Sequence, residues 1–303
     1  MAFMAGGIEL VSRILIETSL NKSTIDLVVI TFLIVFFVNL YKESGLLEGL
    51  GNELVKLFRK PVLVVTLTPA ILGFLPIPGG ALMSAPIVDV VGDSMGLRRN
   101  RKLFFNVWFR HIIFLVYPLS TTIIIASGLA GVDLWSLIVW QTPAVFIMIV
   151  VGILMGLPKG SRGGEKSLKT ESLNAGLLIR GLMPIIVSII LAVILSPLID
   201  NVFPLPIERL SMIIGVLIGI IILIVLSNPS AENLLKALIS GMLVEIVLAA
   251  YGAMFLKDAF NACGASDAIG GLVGDMNPTL LLAILPFILA FITGSPLSSI
   301  VLS

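Results

Sequence analysis

The sequence predicts an all-α integral membrane protein built from inverted-topology repeats, with re-entrant helical hairpins and broken helices. Three observations carry this expectation. The 303 residues are 58% apolar and 12% charged, against about 45–50% and about 25% in soluble domains. Six apolar stretches are long enough to cross a hydrocarbon core of about 30 Å as helices. Residues 61–75 and 278–292 share six identities in fifteen at an offset of 217, which marks an internal repeat.

Charge and cysteine usage exclude most other classes. Nineteen Lys and Arg against eighteen Asp and Glu leave a net charge of +1, with no basic excess to suggest nucleic acid. One cysteine, Cys263, and one histidine, His111, rule out a disulfide framework, a Cys/His zinc cluster and an HExxH metalloprotease. No cofactor is expected beyond Na⁺ or H⁺ as a coupling ion.

Residues 1–23 contain Glu9, Arg13 and Glu17, lack the basic start and apolar run of a signal peptide, and read as a surface amphipathic helix. The first unit, 24–156, opens with a spanning helix at 24–41. The apolar arms 61–75 and 81–92 follow, separated only by Pro76-Ile-Pro-Gly-Gly80. At 1.5 Å per residue they reach about 22 and about 18 Å, too short to span singly, so 61–92 reads as a re-entrant hairpin whose tip is buried in protein or lines a wet cavity. Further spans are expected at 104–128, 133–156, 176–199, 210–227 and 236–256.

Loop charges orient these spans, because Lys and Arg concentrate in cytoplasmic loops. Lys42, Lys56, Arg59 and Lys60 precede the hairpin, and Arg98, Arg99, Arg101 and Lys102 follow it, so both its ends belong in the cytoplasm. Loop 129–132 has no basic residue and 200–209 only Arg209, whereas 157–175 has Lys159, Arg162, Lys166 and Lys169. Loops 129–132 and 200–209 therefore face outward and 157–175 inward, and the segment after 256 is again outside.

The repeat then gains a direction. Pro61, Pro69 and Phe74 match Pro278, Pro286 and Phe291, yet the first hairpin enters from the cytoplasm and the second from outside. Residues 157–235 connect the units, and 236–303 begins the inverted second one. Shifting the end of unit one by 217 residues puts the end of a full second unit about seventy residues past Ser303, so the chain is expected to be a C-terminally truncated fragment.

Inverted repeats with discontinuous helices meeting at the bilayer midplane are the architecture of secondary transporters. The first tip, with Pro76, Pro78, Gly79 and Gly80, would leave helix-end carbonyls for a cation and N–H groups for an anion, or else be a packed structural kink. The second, Thr293-Gly294-Ser295-Pro-Leu-Ser298-Ser299, adds hydroxyls that bind a ligand or bond back to their own helix. Pro118 must disrupt the bond to the carbonyl of residue 114, so Ser120, Thr121 and Thr122 lie beside a second broken helix or a plain kink.

Ionisable groups within the spans are the remaining candidates. Arg110, about 10 Å into its helix, either snorkels to cytoplasmic headgroups or pairs with substrate or a carboxylate. His111 either titrates near neutral pH or hydrogen-bonds to backbone. Glu245, near the centre of 236–256, suits a proton carrier because desolvation there favours the neutral acid; a permanently protonated Glu bonded to a neighbouring helix is the alternative. Asp89 is as well suited to a salt bridge that fixes the hairpin as to binding an ion.

The stretches Leu75-Pro-Ile-Pro-Gly-Gly-Ala-Leu-Met-Ser84-Ala-Pro-Ile-Val-Asp89 and Asn106-Val-Trp-Phe-Arg-His111 resemble an uncharacterised family of prokaryotic polytopic membrane proteins, itself grouped by resemblance with the ion transporter superfamily. The similarity runs over the whole chain. It implies a multi-pass carrier of the inner membrane, often dimeric, moving organic anions or inorganic oxyanions with Na⁺ or H⁺. It brings Ser84 and Asn106 into the candidate substrate- and ion-binding set and names no substrate. The expected function is alternating-access transport of a small, anionic solute, with an ion channel or a non-transporting membrane protein as alternatives. A membrane enzyme is disfavoured, as the chain has only one histidine for Ser/His pairing.

Overall fold

In a computed structural model of the chain, the structure describes residues 2–58, 60–73, 81–157, 172–202 and 209–264, together with 277, 284 and 288. These residues form twelve helices: α1 (Ala2–Leu20), α2 (Lys22–Glu43), α3 (Leu46–Leu57), α4 (Pro61–Gly73), α5 (Ala81–Ser94), α6 (Arg99–Ile113), α7 (Thr121–Ala130), α8 (Leu134–Gly156), α9 (Ala175–Val202), α10 (Leu210–Ser227), α11 (Ala231–Leu238) and α12 (Gly241–Ala262). Five stretches are long and apolar enough to cross a membrane: α2, α8, α9 over Ala175–Ser196, α10 and the α11–α12 run. The protein is an all-α integral membrane protein.

Local chemistry sets the helix boundaries. The Asn21 side chain accepts from the N–H groups of Ser23 and Thr24 and starts α2; Asp133 accepts from Ser136 and starts α8; Ser230 and Ser240 do the same for α11 and α12. Each supplies an acceptor to a helix N–H that has no partner within the helix. Two expected spans are divided. The stretch 104–128 is interrupted between Ile113 and Thr121, where Pro118 cannot donate. The stretch 236–256 is broken at Ile239 and Ser240, because Ser240 caps α12 while its hydroxyl also receives Asn39 of α2 (2.6 Å).

Helix α2 is the axis of the bundle, with 61% of its apolar window buried against 11% for α8. Leu27, Ile30, Ile34, Phe37 and Tyr41 pack with residues of α7, α9, α10 and α12 in one cluster. A second cluster joins Val64 and Val65 of α4, Val88 and Val91 of α5, and Phe105 and Phe109 of α6. Lipid is as apolar as leucine, so such helices are held by close packing and by polar contacts between them. The Tyr41 hydroxyl donates to Gly181 O (3.0 Å) and Asn39 donates to Ala237 O (3.1 Å). Helix α8 lies at the rim, with Trp140, Phe146 and Leu154 exposed. Helix α1 does more than lie on a surface: Ile14 and Thr18 are buried, and the Thr18 hydroxyl donates to Asp258 (2.6 Å).

Helix ends sort into two groups, the same two that loop charges distinguish. At one end the Asn174 N–H donates to Glu53 (2.7 Å), Arg101 donates to Gly156 O (3.2 Å) and Lys102 pairs with Asp89 and Asp93 (2.5 and 2.7 Å). All of these lie in segments assigned to the cytoplasm. At the other end Asp133, Arg209 and Asp258, in or directly beside segments assigned outside, line one cavity together with Asn21.

Glu53 yields a pH prediction. The backbone N–H of Asn174 first, and Lys56 (3.0 Å) second, hold its carboxyl below its ordinary value. A depressed folded value means stability that is present above the unfolded value and lost as pH falls through the folded one. Glu53→Gln is therefore expected to melt earlier than the parent at neutral pH, with the difference closing on acidification. A constant difference from about pH 7 to about pH 3.5 would show that the charge is immaterial.

Candidate functional site

Four helix ends converge beside α6. Helix α4 runs in step with it, since Val64 and Val65 cluster with Phe105 and Phe109 while Leu72 O accepts from Arg110 Nη1 (3.2 Å). Helix α5 runs back: Ser84 Oγ donates to Asn106 Oδ1 (2.5 Å), and Asp89 and Asp93 reach Lys102. Both arms 61–73 and 81–94 therefore lie between the cytoplasmic end and the middle of α6. Arg110 is eleven residues along α6 from Arg99, or about 16 Å from that basic end and about 10 Å past residue 104, where the apolar stretch begins, at 1.5 Å per residue.

Asn106 and Arg110 are one turn apart, so they share a face, and that face is pressed against both arms. Asn106, Arg110 and Ser84 are all buried. Arg110 does not snorkel. Its guanidinium meets the carbonyl end of α4, where a cation is favoured by the helix dipole, and sits 5.8 Å from the centre of the Phe114 ring. Gly73 makes this approach possible, because a Cβ there would stand 2.9 Å from both Arg110 O and Ile113 Cγ2. One turn below Leu72, the Thr68 hydroxyl is buried without a hydrogen-bond partner among the described residues.

The break in the next helix is at the same level. Phe114, Leu115 and Val116 donate three residues back, to His111, Ile112 and Ile113, tightening the end of α6 as 3₁₀ turns do. The chain then passes through Tyr117, Pro118 and Leu119 to Ser120, which precedes α7 without a side-chain cap bond. Tyr117, Ser120 and Thr121 are buried and Thr122 is half-buried. The ends of α4 and α6 and the starts of α5 and α7 thus form a polar node around a guanidinium.

Three other candidates lie elsewhere. Asp89 is exposed and paired with Lys102, so it pins α5 to α6 about one and a half turns from the node. The hydrogen bonds it donates to Asp89 and Asp93 push the Lys102 ammonium above its ordinary value. His111 is exposed, donates through Nδ1 to Val107 O (2.7 Å) in its own helix and lies edge-on to Phe114, facing away from Asn106 and Arg110. Glu245 is exposed beside Val244 and Leu248 in the second turn of α12, so the described residues do not enclose it. The break at Ser240 restarts the helix and turns this position outward. Pro76, Pro78, Gly79 and Gly80 of the first tip, and Gly294, Ser295, Ser298 and Ser299 of the second, lie outside the described residues.

The outer end carries residues that sequence reasoning used only for topology. A cavity of about 520 Å³ is lined by Ser127, Asp133, Arg209, Lys257 and Asp258 among others. Lys257 donates to Gly128 O (3.2 Å), and Arg209 and Asp26 are buried. The signal was present, since Asp26 and Arg209 stand at the borders of long apolar runs.

Comparison with curated proteins and with solved structures finds no match. A family model, described as protein of unknown function (DUF401), matches residues 4–303. With nearly the whole sequence covered, the chain belongs to the DUF401 family of proteins of unknown function.

Proposed function

We propose that the protein is a secondary active transporter of a small anionic solute, coupled to H⁺ or Na⁺, in the inner membrane and within the ion transporter superfamily. The observation that carries this reading is the node: a guanidinium buried within the bundle, at the junction of a short-armed hairpin and a Pro-broken helix. Transporters place substrate sites at the midplane between discontinuous helices, and an ionisable group at that depth is costly unless it serves a path or a partner. Arg110 has a fork of five donors, which can hold the Leu72 carbonyl and an oxyanion together. The outer cavity supplies an entrance on the side opposite the hairpin's open end.

The test is uptake into proteoliposomes of a panel of carboxylates and inorganic oxyanions, under an imposed Na⁺ or H⁺ gradient. Saturable, gradient-driven accumulation of one class is expected. Conductance far above carrier rates would make the protein a channel. Glu245 is assigned the coupling proton, because ionisable residues within membrane-spanning helices mark proton paths and Glu245 stands among apolar residues of α12. Glu245→Gln is expected to keep the fold and lose pH-driven uptake, and an unchanged pH dependence removes it from the mechanism.

A further inference from the structure

Away from the node, α6 turns a second face toward lipid. Leu103, Phe104, Val107, Trp108 and His111 recur at helical spacing along it, and with Met148 of α8 they line an almost wholly apolar groove of about 540 Å³. The Trp108 N–H donates to Met148 O (2.9 Å), which ties α6 to α8 and satisfies the one indole donor there. The cytoplasmic end of this groove is Asn100, flanked by Arg98, Arg99 and Arg101. Arg101 donates to Gly156 O, whereas Arg98 and Arg99 are exposed. No acidic residue occupies the first turn of α6, and the nearby Asp89 and Asp93 are engaged by Lys102.

An apolar trough within the hydrocarbon layer that ends in arginines at the cytoplasmic surface has the charge and polarity pattern of one molecule, an anionic phospholipid. We infer that the α6–α8 groove is a binding site for an anionic phospholipid of the inner leaflet, its acyl chain along Phe104, Trp108 and Met148 and its phosphate on Arg98 and Arg99. Basic pockets beside spanning helices on the cytoplasmic side are suited to such headgroups. The site is independent of what the node carries, and it gives His111 a setting in the groove wall.

Trp108 reports on the groove directly. The chain has three tryptophans, so Trp135→Phe with Trp140→Phe leaves Trp108 as the sole emitter. That protein is reconstituted in bilayers carrying a small fraction of brominated-acyl phosphatidylglycerol, or the same fraction of brominated-acyl phosphatidylcholine. The phosphatidylglycerol is expected to quench Trp108 as though enriched about fivefold or more over its bulk fraction, the factor that one surface arginine supplies. Arg98→Gln with Arg99→Gln should abolish the preference, as should high salt. A variant retaining only Trp140, which is exposed on the rim, should show none. Equal quenching by the two lipids would overturn the assignment. So would a Trp108 that neither lipid quenches while copies cross-link through α6 and α8, because the groove would then hold a second copy of the chain.

Discussion

Replacing Arg110 with glutamine is expected to abolish concentrative uptake while leaving a folded, monodisperse protein. The two effects should separate because the residue has a structural contact and, on the proposed reading, a functional one. Toward the protein, Arg110 satisfies the Leu72 carbonyl at the end of α4 (3.2 Å), and a glutamine amide can still offer an N–H there. Toward the solute, the proposed contribution is a positive charge in a fork geometry, which glutamine lacks. A hydrogen bond to a charged group is worth about 1.5–3 kcal/mol, so the loss should weaken apparent affinity about 10- to 100-fold. Arg110→Lys keeps the charge without the fork and should recover part of the affinity only. Arg110→Ala removes both contacts and leaves a buried carbonyl unsatisfied, at a cost of about 1–3 kcal/mol of stability. The measurements are initial uptake rate against solute concentration, paired with thermal melting of each variant. Normal uptake by the glutamine variant would reduce Arg110 to a cap on α4 and remove the node from the transport path.

The node was partly legible in the sequence, and the reason is physical. Proline cannot donate to the helix ladder, so Pro118 announced the interruption between α6 and α7, although Pro69, Pro86 and Pro143 are carried within continuous helices. Arm length was equally readable, because thirteen or fourteen residues cannot cross a bilayer. What the sequence could not supply was direction around each helix. His111 and Arg110 are adjacent, and only the packing of α6 shows that one faces the hairpin and the other the lipid groove. Glu245 is a related case: its depth was read from an unbroken helix, whereas α12 begins only after the Ser240 cap and Glu245 lies exposed in its second turn. The outer cavity was missed because Arg209 was counted only as a loop charge, and because Lys257 reaches its partner, the Gly128 carbonyl, 129 residues away in α7.

A stability prediction of comparable size concerns a pair of glycines whose spacing went unread. Gly215-Val-Leu-Ile-Gly219 places two glycines one turn apart on α10, the small-residue spacing that lets membrane helices approach backbone to backbone. The partner is α9, whose Ser188 and Ala192 are completely buried. A Cβ on Gly215 would stand 2.6 Å from Ser188 O and 3.1 Å from Ala192 N, both main-chain atoms, whereas one on Gly219 would overlap the Ser188 hydroxyl and meet Pro184 O at 3.0 Å. A side chain can swing aside and a helix backbone cannot, so the two sites should respond differently. Gly215→Leu is expected to cost about 3 kcal/mol or more, at the upper end for overpacking, lowering the melting temperature by about 6–12 °C. Gly219→Ala should cost less, and Ser188→Gly should rescue part of it by removing the hydroxyl in the way. The same Ser188→Gly change should do nothing for Gly215→Leu, whose clash is with the main chain. Thermal melting of the four variants in one detergent decides the matter. If Gly215→Leu melts within about a degree of the parent, or if Ser188→Gly rescues both sites equally, then the backbones of α9 and α10 are not in contact and a looser packing holds that half of the bundle.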